Sequence, residues 1–320
     1  MTDLSITNGM IPDLSGKTAV VTGGSSGIGR GAVEILLEHN AQVFILDVQP
    51  LPRDLASTSK LIFIQTDISS WSSLVDAFST ITCRYCATID IAIANAGVGE
   101  HGTYLQQCFR PAPLESAGWS ALKAERHPNY PEIAINLQGT MDFIMLAARV
   151  MKGQTDGGSI VITTSATAYV PEYSLPVYCA TKAALTNLIR TLRTTLPLHN
   201  IAISGVAPSA TESSTLPPDL AAPIMATGLP VSTARHVGLA VVYSATASQS
   251  RRVEDYGKDS EATDSGGRWN GRVIHTISDT FTEVEEMLIQ TRPQWWGERN
   301  IELARKQQTA TDLRTSYVGG

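Results

Sequence analysis

Residues 17–29 read K-T-A-V-V-T-G-G-S-S-G-I-G, and the order of their parts decides the fold. The run 17–22 is apolar and rich in β-branched residues, which predicts a strand. A glycine-rich turn follows at once, and 27–40 then has the apolar spacing of a helix. Gly23 lets the chain turn out of the strand. Gly27 and Gly29 remove side chains where the backbone must approach a pyrophosphate and where helix and strand pack closely. Ser25, Ser26 and Ile28 complete the turn. The helix N-terminus offers unpaired N–H groups and the positive end of its dipole to phosphate oxygens. Strand, turn and helix in this order predict a dinucleotide site rather than a bare turn.

The same alternation continues outward. Runs 42–48, 61–67 and 89–97 are apolar throughout, as expected of parallel strands covered on both faces. Runs 159–165, 201–207 and 272–278 predict further strands, and 71–81, 132–151 and 175–196 predict helices. Strands alternating with helices predict a doubly wound α/β sheet in one domain. Its expected extent is 14–290, after a leader 1–13 and before a tail 291–320. Three stretches do not fit and are expected to be long loops. They are an insertion at 99–131 with Pro111, Pro113, Pro128 and Pro131, a Ser-, Thr- and Pro-rich stretch at 209–232, and a polar stretch at 249–271.

Composition excludes several classes of protein. With 43% hydrophobic residues, 320 residues can bury a sizeable core. A net charge of -6 gives no electrostatic reason to expect nucleic acid or an anionic membrane. No apolar run approaches the roughly 18 residues of a membrane span, and the polar N-terminus lacks the pattern of a secretory signal. Cys83 and Cys86 form a lone C-x-x-C, and Cys108 and Cys179 stand apart from it. They read as reduced thiols, so a cytoplasmic location is expected. The six His are scattered, and no metal site is predicted.

Asp47 ends the second strand, 18 residues after Gly29. A carboxylate there accepts from both ribose hydroxyls of an adenosine and repels a 2′-phosphate, which predicts NAD over NADP. Arg30 is a nearby cation that would favour the phosphate instead. Asp67 either accepts from the adenine amino group or caps the helix after it. Further on, Tyr178 and Lys182 stand at i and i+4 of a predicted helix and so share one face. A tyrosine is too weak an acid to serve as a base at neutral pH, and a neighbouring ammonium favours its phenolate. The pair thus suits removal of a proton from an alcohol. Ser165 ends a strand 13 residues before Tyr178, at the carboxyl edge where such sheets bind ligands.

These residues together resemble the short-chain dehydrogenase/reductase family, over about 14–206. T-G-G-S-S-G-I-G matches its nucleotide turn, and Asn95-Ala96-Gly97 its turn after the fourth strand. Asn136, Ser165, Tyr178 and Lys182 match its catalytic set at the family spacing. The resemblance implies a Rossmann sheet of about seven parallel strands. It implies a nicotinamide cofactor and a proton relay through Asn136, a water, Lys182, the ribose and Tyr178. It also carries Ile68, Pro208, Ser209, Ala210, Thr211 and Ser213 onto the cofactor site. Pro208-Ser209 departs from the family's Pro-Gly, where a positive φ would be awkward for serine. Asp47 and P-V-Y-C-A-T-K look most like the NAD-dependent 15-hydroxyprostaglandin dehydrogenase-like branch. Similar sequences are frequent in fungal secondary-metabolite pathways acting on terpenoid or polyketide skeletons.

The expectation is therefore NAD-dependent oxidation of a secondary alcohol on a bulky apolar small molecule, under a lid at about 209–232, by a homodimer or homotetramer. Ketone reduction in the opposite direction stays open. So does a non-redox role for the bound cofactor, as isomerase, cyclase or scaffold.

Overall fold

The computed structural model describes residues 3–55, 58–85, 88–100, 103–112, 115–124, 129–213, 216, 218–229, 231–254 and 266–313. Cys86, Pro113, Pro128 and parts of the expected lid and tail lie outside them. Strands are β1 (Asp3–Leu4), β2 (Thr18–Thr22), β3 (Gln42–Asp47), β4 (Leu61–Gln65), β5 (Ile91–Ala94), β6 (Gly158–Thr163), β7 (Ile201–Pro208), β8 (Ser248–Gln249), β9 (Gly267–Arg268), β10 (Val273–Ile277) and β11 (Thr280–Glu283). Helices are α1 (Gly27–Glu38), α2 (Trp71–Ser79), α3 (Thr103–Cys108), α4 (Ser116–Ala124), α5 (Thr140–Lys152), α6 (Pro176–Leu192), α7 (Pro218–Ala226), α8 (Ala234–Thr246), α9 (Glu285–Gln290), α10 (Arg292–Trp296) and α11 (Glu298–Ala310).

Among the described residues the central sheet has nine strands in the order β1-β11-β10-β7-β6-β5-β2-β3-β4, seven of them in the expected parallel run and two added at one edge. From β10 to β4 every pairing is parallel. The two extra strands sit at one edge, where β11 folds back antiparallel on β10 and β1 pairs antiparallel with β11. Their segments carry little apolar signal, because T-F-T-E alternates and β1 has only two residues. The turn into β11 places Ser278 at φ 55°, a left-handed position that tightens the hairpin.

Alternate residues of each parallel strand enter two cores. Ala19 and Val21 of β2 pack with Val33 and Leu36 of α1 and with Val237 and Val241 of α8. Val20 packs on the opposite face with Leu74 of α2, Phe143 of α5 and Ile189 of α6. Apolar burial on both faces is what the continuous hydrophobic runs encode. Ile6, Ile11 and Leu14 of the N-terminal segment join the first core.

The expected loops hold local structure. Residues 99–131 contain α3 and α4, 209–232 contain α7, and 249–271 begins within β8 and ends beyond β9, which pairs with it. Tyr104, Trp119 and Leu122 remain exposed on α3 and α4, so these helices show no core-facing apolar period. The predicted strand 89–97 stops at Ala94, because Asn95–Gly97 leave the ladder to build the site. The predicted helix 132–151 opens with a widened π-type turn, Ile133–Gly139, before α5.

Candidate active site

β2 and β5 are neighbours, yet the chain leaves β2 toward β3 and β5 toward β6, on opposite sides. Their following loops diverge and open a crevice at the carboxyl edge of the sheet. The glycine turn and the Asn95–Gly97 turn meet there. Gly23 has φ 65°, and a Cβ on it would lie 2.8 Å from Ala96 Cα. A Cβ on Gly29 would run into Gly23 O and Asn95 Nδ2. Asn95 holds this contact, donating from Nδ2 to Gly23 O at 3.1 Å and to Thr22 O at 3.3 Å. Thr22 Oγ1 accepts from the backbone N–H of Asn95 at 2.9 Å and of Ala96 at 3.1 Å.

α1 starts at Gly27, and its N-cap residue Ser26 makes no side-chain capping bond. First-turn N–H groups are thus left for an outside acceptor. A Cβ on Gly27 would lie 3.1 Å from Ser213 Cβ, so Ser213 covers the start of α1. The residues fit a dinucleotide pyrophosphate: the turn excludes side chains and the helix end supplies donors.

Asp47 ends β3 beside this turn. Its Oδ2 accepts from Ser25 N at 3.0 Å and its Oδ1 from Gln49 N at 2.9 Å. Arg30 is committed elsewhere, to Glu34 at 2.8 Å and Asp54 at 2.5 Å. Asp67 is exposed and accepts from Ser69 N at 2.9 Å and Ser69 Oγ at 2.6 Å. Ser70, not Asp67, caps α2 by accepting from Ser73 N. Ile68 is buried behind this turn, with its backbone carbonyl against Gly139.

The four expected catalytic residues come from three elements. Asn136 is fully buried in the π-type turn, where Oδ1 accepts from Val98 N at 2.8 Å and Nδ2 donates to Val98 O at 2.9 Å. A Cβ on Gly97 would lie 3.2 Å from Asn136 Oδ1 and 3.6 Å from Lys182 Nζ, so the three converge. Lys182 Nζ donates to Thr163 O at 2.9 Å and lies 5.6 Å from the Tyr178 ring centroid. Burial pushes the Lys182 ammonium down to about 8. Burial also pushes the Tyr178 phenol up, partly offset by a side-chain hydrogen bond with Ser165. Burial thus opposes the lowering of Tyr178 that a neighbouring ammonium favours, and one Lys182 N–H is taken by the Thr163 carbonyl.

The last expected group lies at the ends of β7 and β10. Pro208 pairs with Thr276, and Ser209 N donates to Thr276 O at 2.8 Å. The left-handed non-glycine residues among those described are Asn40, Asn200 and Ser278, so Ser209 carries no such strain. Thr211 bridges to Ser232, whose N–H donates to Ala210 O at 3.0 Å.

Three site residues escape the sequence reading. Thr167 donates from Oγ1 to Ser165 Oγ at 2.9 Å and from its N–H at 3.2 Å, filling the acceptor side of that hydroxyl. Thr163 donates from Oγ1 to Asn95 Oδ1 at 3.0 Å while its carbonyl holds Lys182. The hydroxyl run T-T-S at 163–165 was the available signal for such bonding. Glu100 accepts from Tyr178 N at 2.8 Å, and a single acid in an insertion gives no signal at all.

A family model described as short chain dehydrogenase matches residues 17–221. The chain belongs to that family. Members bind a nicotinamide cofactor and act on small molecules, and this short-chain dehydrogenase is an oxidoreductase acting on CH–OH groups. It is 45% identical over 314 residues to "Short-chain dehydrogenase/reductase prx4" of Penicillium roqueforti, covering 98% of this chain and 90% of that protein. It is 40% identical over 327 residues to "Short-chain dehydrogenase/reductase ATR7" of Stachybotrys chlorohalonatus, covering 99% and 96%. A short-chain type dehydrogenase/reductase of Mycobacterium marinum shares the fold, with a TM-score of 0.61 at 24% identity over 75% of this chain and 92% of that one.

Proposed function

We propose that this short-chain dehydrogenase uses NAD to oxidise a secondary alcohol on a bulky apolar molecule to a ketone. The observation that carries the cofactor choice is the pairing state of two side chains at the adenosine end. Asp47 lies beside the glycine turn with its carboxylate turned to backbone N–H groups. Arg30, the cation that would balance a 2′-phosphate, is already neutralised by Glu34 and Asp54. A further phosphate there would meet a carboxylate and no free charge from Arg30.

When bound, the nicotinamide accepts a hydride. Tyr178 Oη, as the phenolate, would take the O–H proton while the carbinol carbon gives up its hydride and becomes the ketone carbon. Ser165 Oγ donates to the reacting oxygen, and Thr167 keeps that hydroxyl oriented by occupying its acceptor side. Lys182, mostly protonated at neutral pH, supplies positive charge close to Tyr178 and a donor for ribose hydroxyls. Asn136 fixes the loop at Val98 through its side chain, and the same residue serves the proton relay through the widened turn that carries it.

An apolar substrate is supported by the segment joining Ser165 to Tyr178. Val170 is 77% and Tyr173 88% exposed there, beside the reacting groups in sequence. Met225 at the end of α7 and Leu229 beyond it, in the proposed lid, are exposed as well. Terpenoid or polyketide alcohols would suit such a surface. Exposed Met141 and Met145 on α5 support assembly as a homodimer or homotetramer.

The reading is tested by incubating the protein with NAD and a panel of bulky secondary alcohols and following the reduced-nicotinamide absorbance. Reduction by members of the panel is expected. Binding of NAD without reduction by any of them would move the reading to a non-redox role.

A further inference from the structure

We propose that Glu100 is a positioning residue for Tyr178, acting as the N-terminal cap of the catalytic helix from a distant part of the chain. The inference extends the reading of Tyr178 given above and names a residue that reading does not use.

The first turn of α6 lacks a cap of its own. Leu175 stands at the N-cap position without a side-chain bond, and Pro176 follows with no N–H to offer. Tyr178 is the third residue of the helix, so its backbone N–H has no intrahelical acceptor. Glu100 Oε2 accepts that N–H at 2.8 Å, across 78 positions of sequence. A carboxylate at a helix N-terminus is also favoured by the dipole.

Glu100 is held as well as holding. It lies two residues beyond Val98, whose N–H and C=O are both bound by Asn136. The loop that leaves β5 is thus pinned at one point by Asn136 and at another by the residue that carries the phenol. Glu100, Asn136 and Tyr178 form one clamp around the segment 97–100.

The burial of Glu100 argues for use rather than accident. The residue is only 8% exposed, and its Oε1 is buried with no partner among the described residues. A half-satisfied buried carboxylate costs stability that an apolar side chain would not. If its work were structural alone, replacement would weaken the fold. If its work is also to fix Tyr178, replacement costs turnover beyond that weakening, because a small displacement of a reacting group lowers the rate steeply.

The test uses Glu100→Ala and Glu100→Gln in the full chain. Gln retains a carbonyl oxygen for the Tyr178 N–H, and Ala does not. E100A is expected to lose about tenfold or more in kcat on any alcohol the wild type oxidises, with KM for that alcohol within about twofold. The NADH dissociation constant should stay at its wild-type value, Tm should fall by no more than one lost helix cap costs, and E100Q should recover most of the lost kcat. Amide hydrogen exchange gives an arm that needs no substrate: the peptide containing Tyr178 should exchange faster in E100A than in wild type, and not in E100Q. Wild-type exchange in E100A, or equal loss of kcat in E100A and E100Q, would overturn the assignment. If the wild type binds NADH but oxidises no alcohol, the proposed reaction fails by itself, and the exchange arm still decides the role of Glu100.

Discussion

Lys182 Nζ points its hydrogen bond at the carbonyl of Thr163, 2.9 Å away, and not at the Tyr178 hydroxyl. The Thr163 hydroxyl in turn donates to Asn95, and Asn95 donates to the backbone of the glycine turn. Lysine, strand end and phosphate-binding turn are therefore one hydrogen-bonded chain. The lysine is poised by the cofactor half of the site, and its charge is buried to achieve this.

That burial makes a pH-dependent stability prediction. Lys182 is pushed down to about 8 from an ordinary 10.5. Below the folded value the native state must carry a buried charge, and the cost is fully present. As pH rises through that window and beyond the ordinary value, the cost disappears. Lys182→Met removes the charge at every pH. Its unfolding free energy relative to wild type should therefore fall by about 3 kcal/mol between neutral pH and pH 10.5. A difference that stays flat in urea titrations across that range would contradict this account of the lysine.

Tyr178→Phe keeps the ring and its packing and removes only the hydroxyl that shares a hydrogen bond with Ser165. Turnover should drop by about a thousandfold while NAD affinity stays within about twofold. Steady-state rates beside a nucleotide titration measure both.

At the adenosine end, Asp47→Asn retains an acceptor for Ser25 N but removes the negative charge. The preference for NAD over NADP should fall by about tenfold or more, a difference of about 1.4 kcal/mol. Comparing the two dissociation constants in wild type and variant checks it. An unchanged ratio would place the discrimination in other residues.

A buried ionic cluster ties the C-terminal segment to the catalytic helix. Glu285 accepts from the Tyr169 hydroxyl at 2.9 Å and from Arg190 Nη2 at 2.7 Å, and Arg193 Nη1 lies 3.4 Å away. Glu285→Ala removes the carboxylate that neutralises this charge, which should destabilise the fold by about 3–5 kcal/mol. Denaturant unfolding measures it, and a loss near zero would mean that the arginines are neutralised without Glu285.

The sequence made the core of the site readable because its chemistry is local. Glycines must lie next to one another to form the turn, and Tyr178 and Lys182 share a face through helical spacing alone. The parallel strands were legible because both faces are buried and every residue in the run is apolar. What escaped depends on distant partners. β1 has two residues and gains its ladder from β11, nearly the whole chain away. Glu100 is an unremarked acid until α6 is placed against it. α11 is polar along its length and buries only Ile301, so its sequence lacks a core-facing stripe. Tyr178 shows the converse limit: spacing places an ammonium near it, but spacing carries no sign of the burial that pushes the phenol up and the ammonium down.

The measurement that bears most directly on the proposed function is a titration of the purified wild-type chain with NADH and with NADPH, followed by nicotinamide fluorescence. With Asp47 beside the turn and Arg30 neutralised by Glu34 and Asp54, NADH should bind at least about tenfold more tightly. Equal or tighter binding of NADPH would contradict the assignment of the adenosine end, and no binding of either would contradict the site itself.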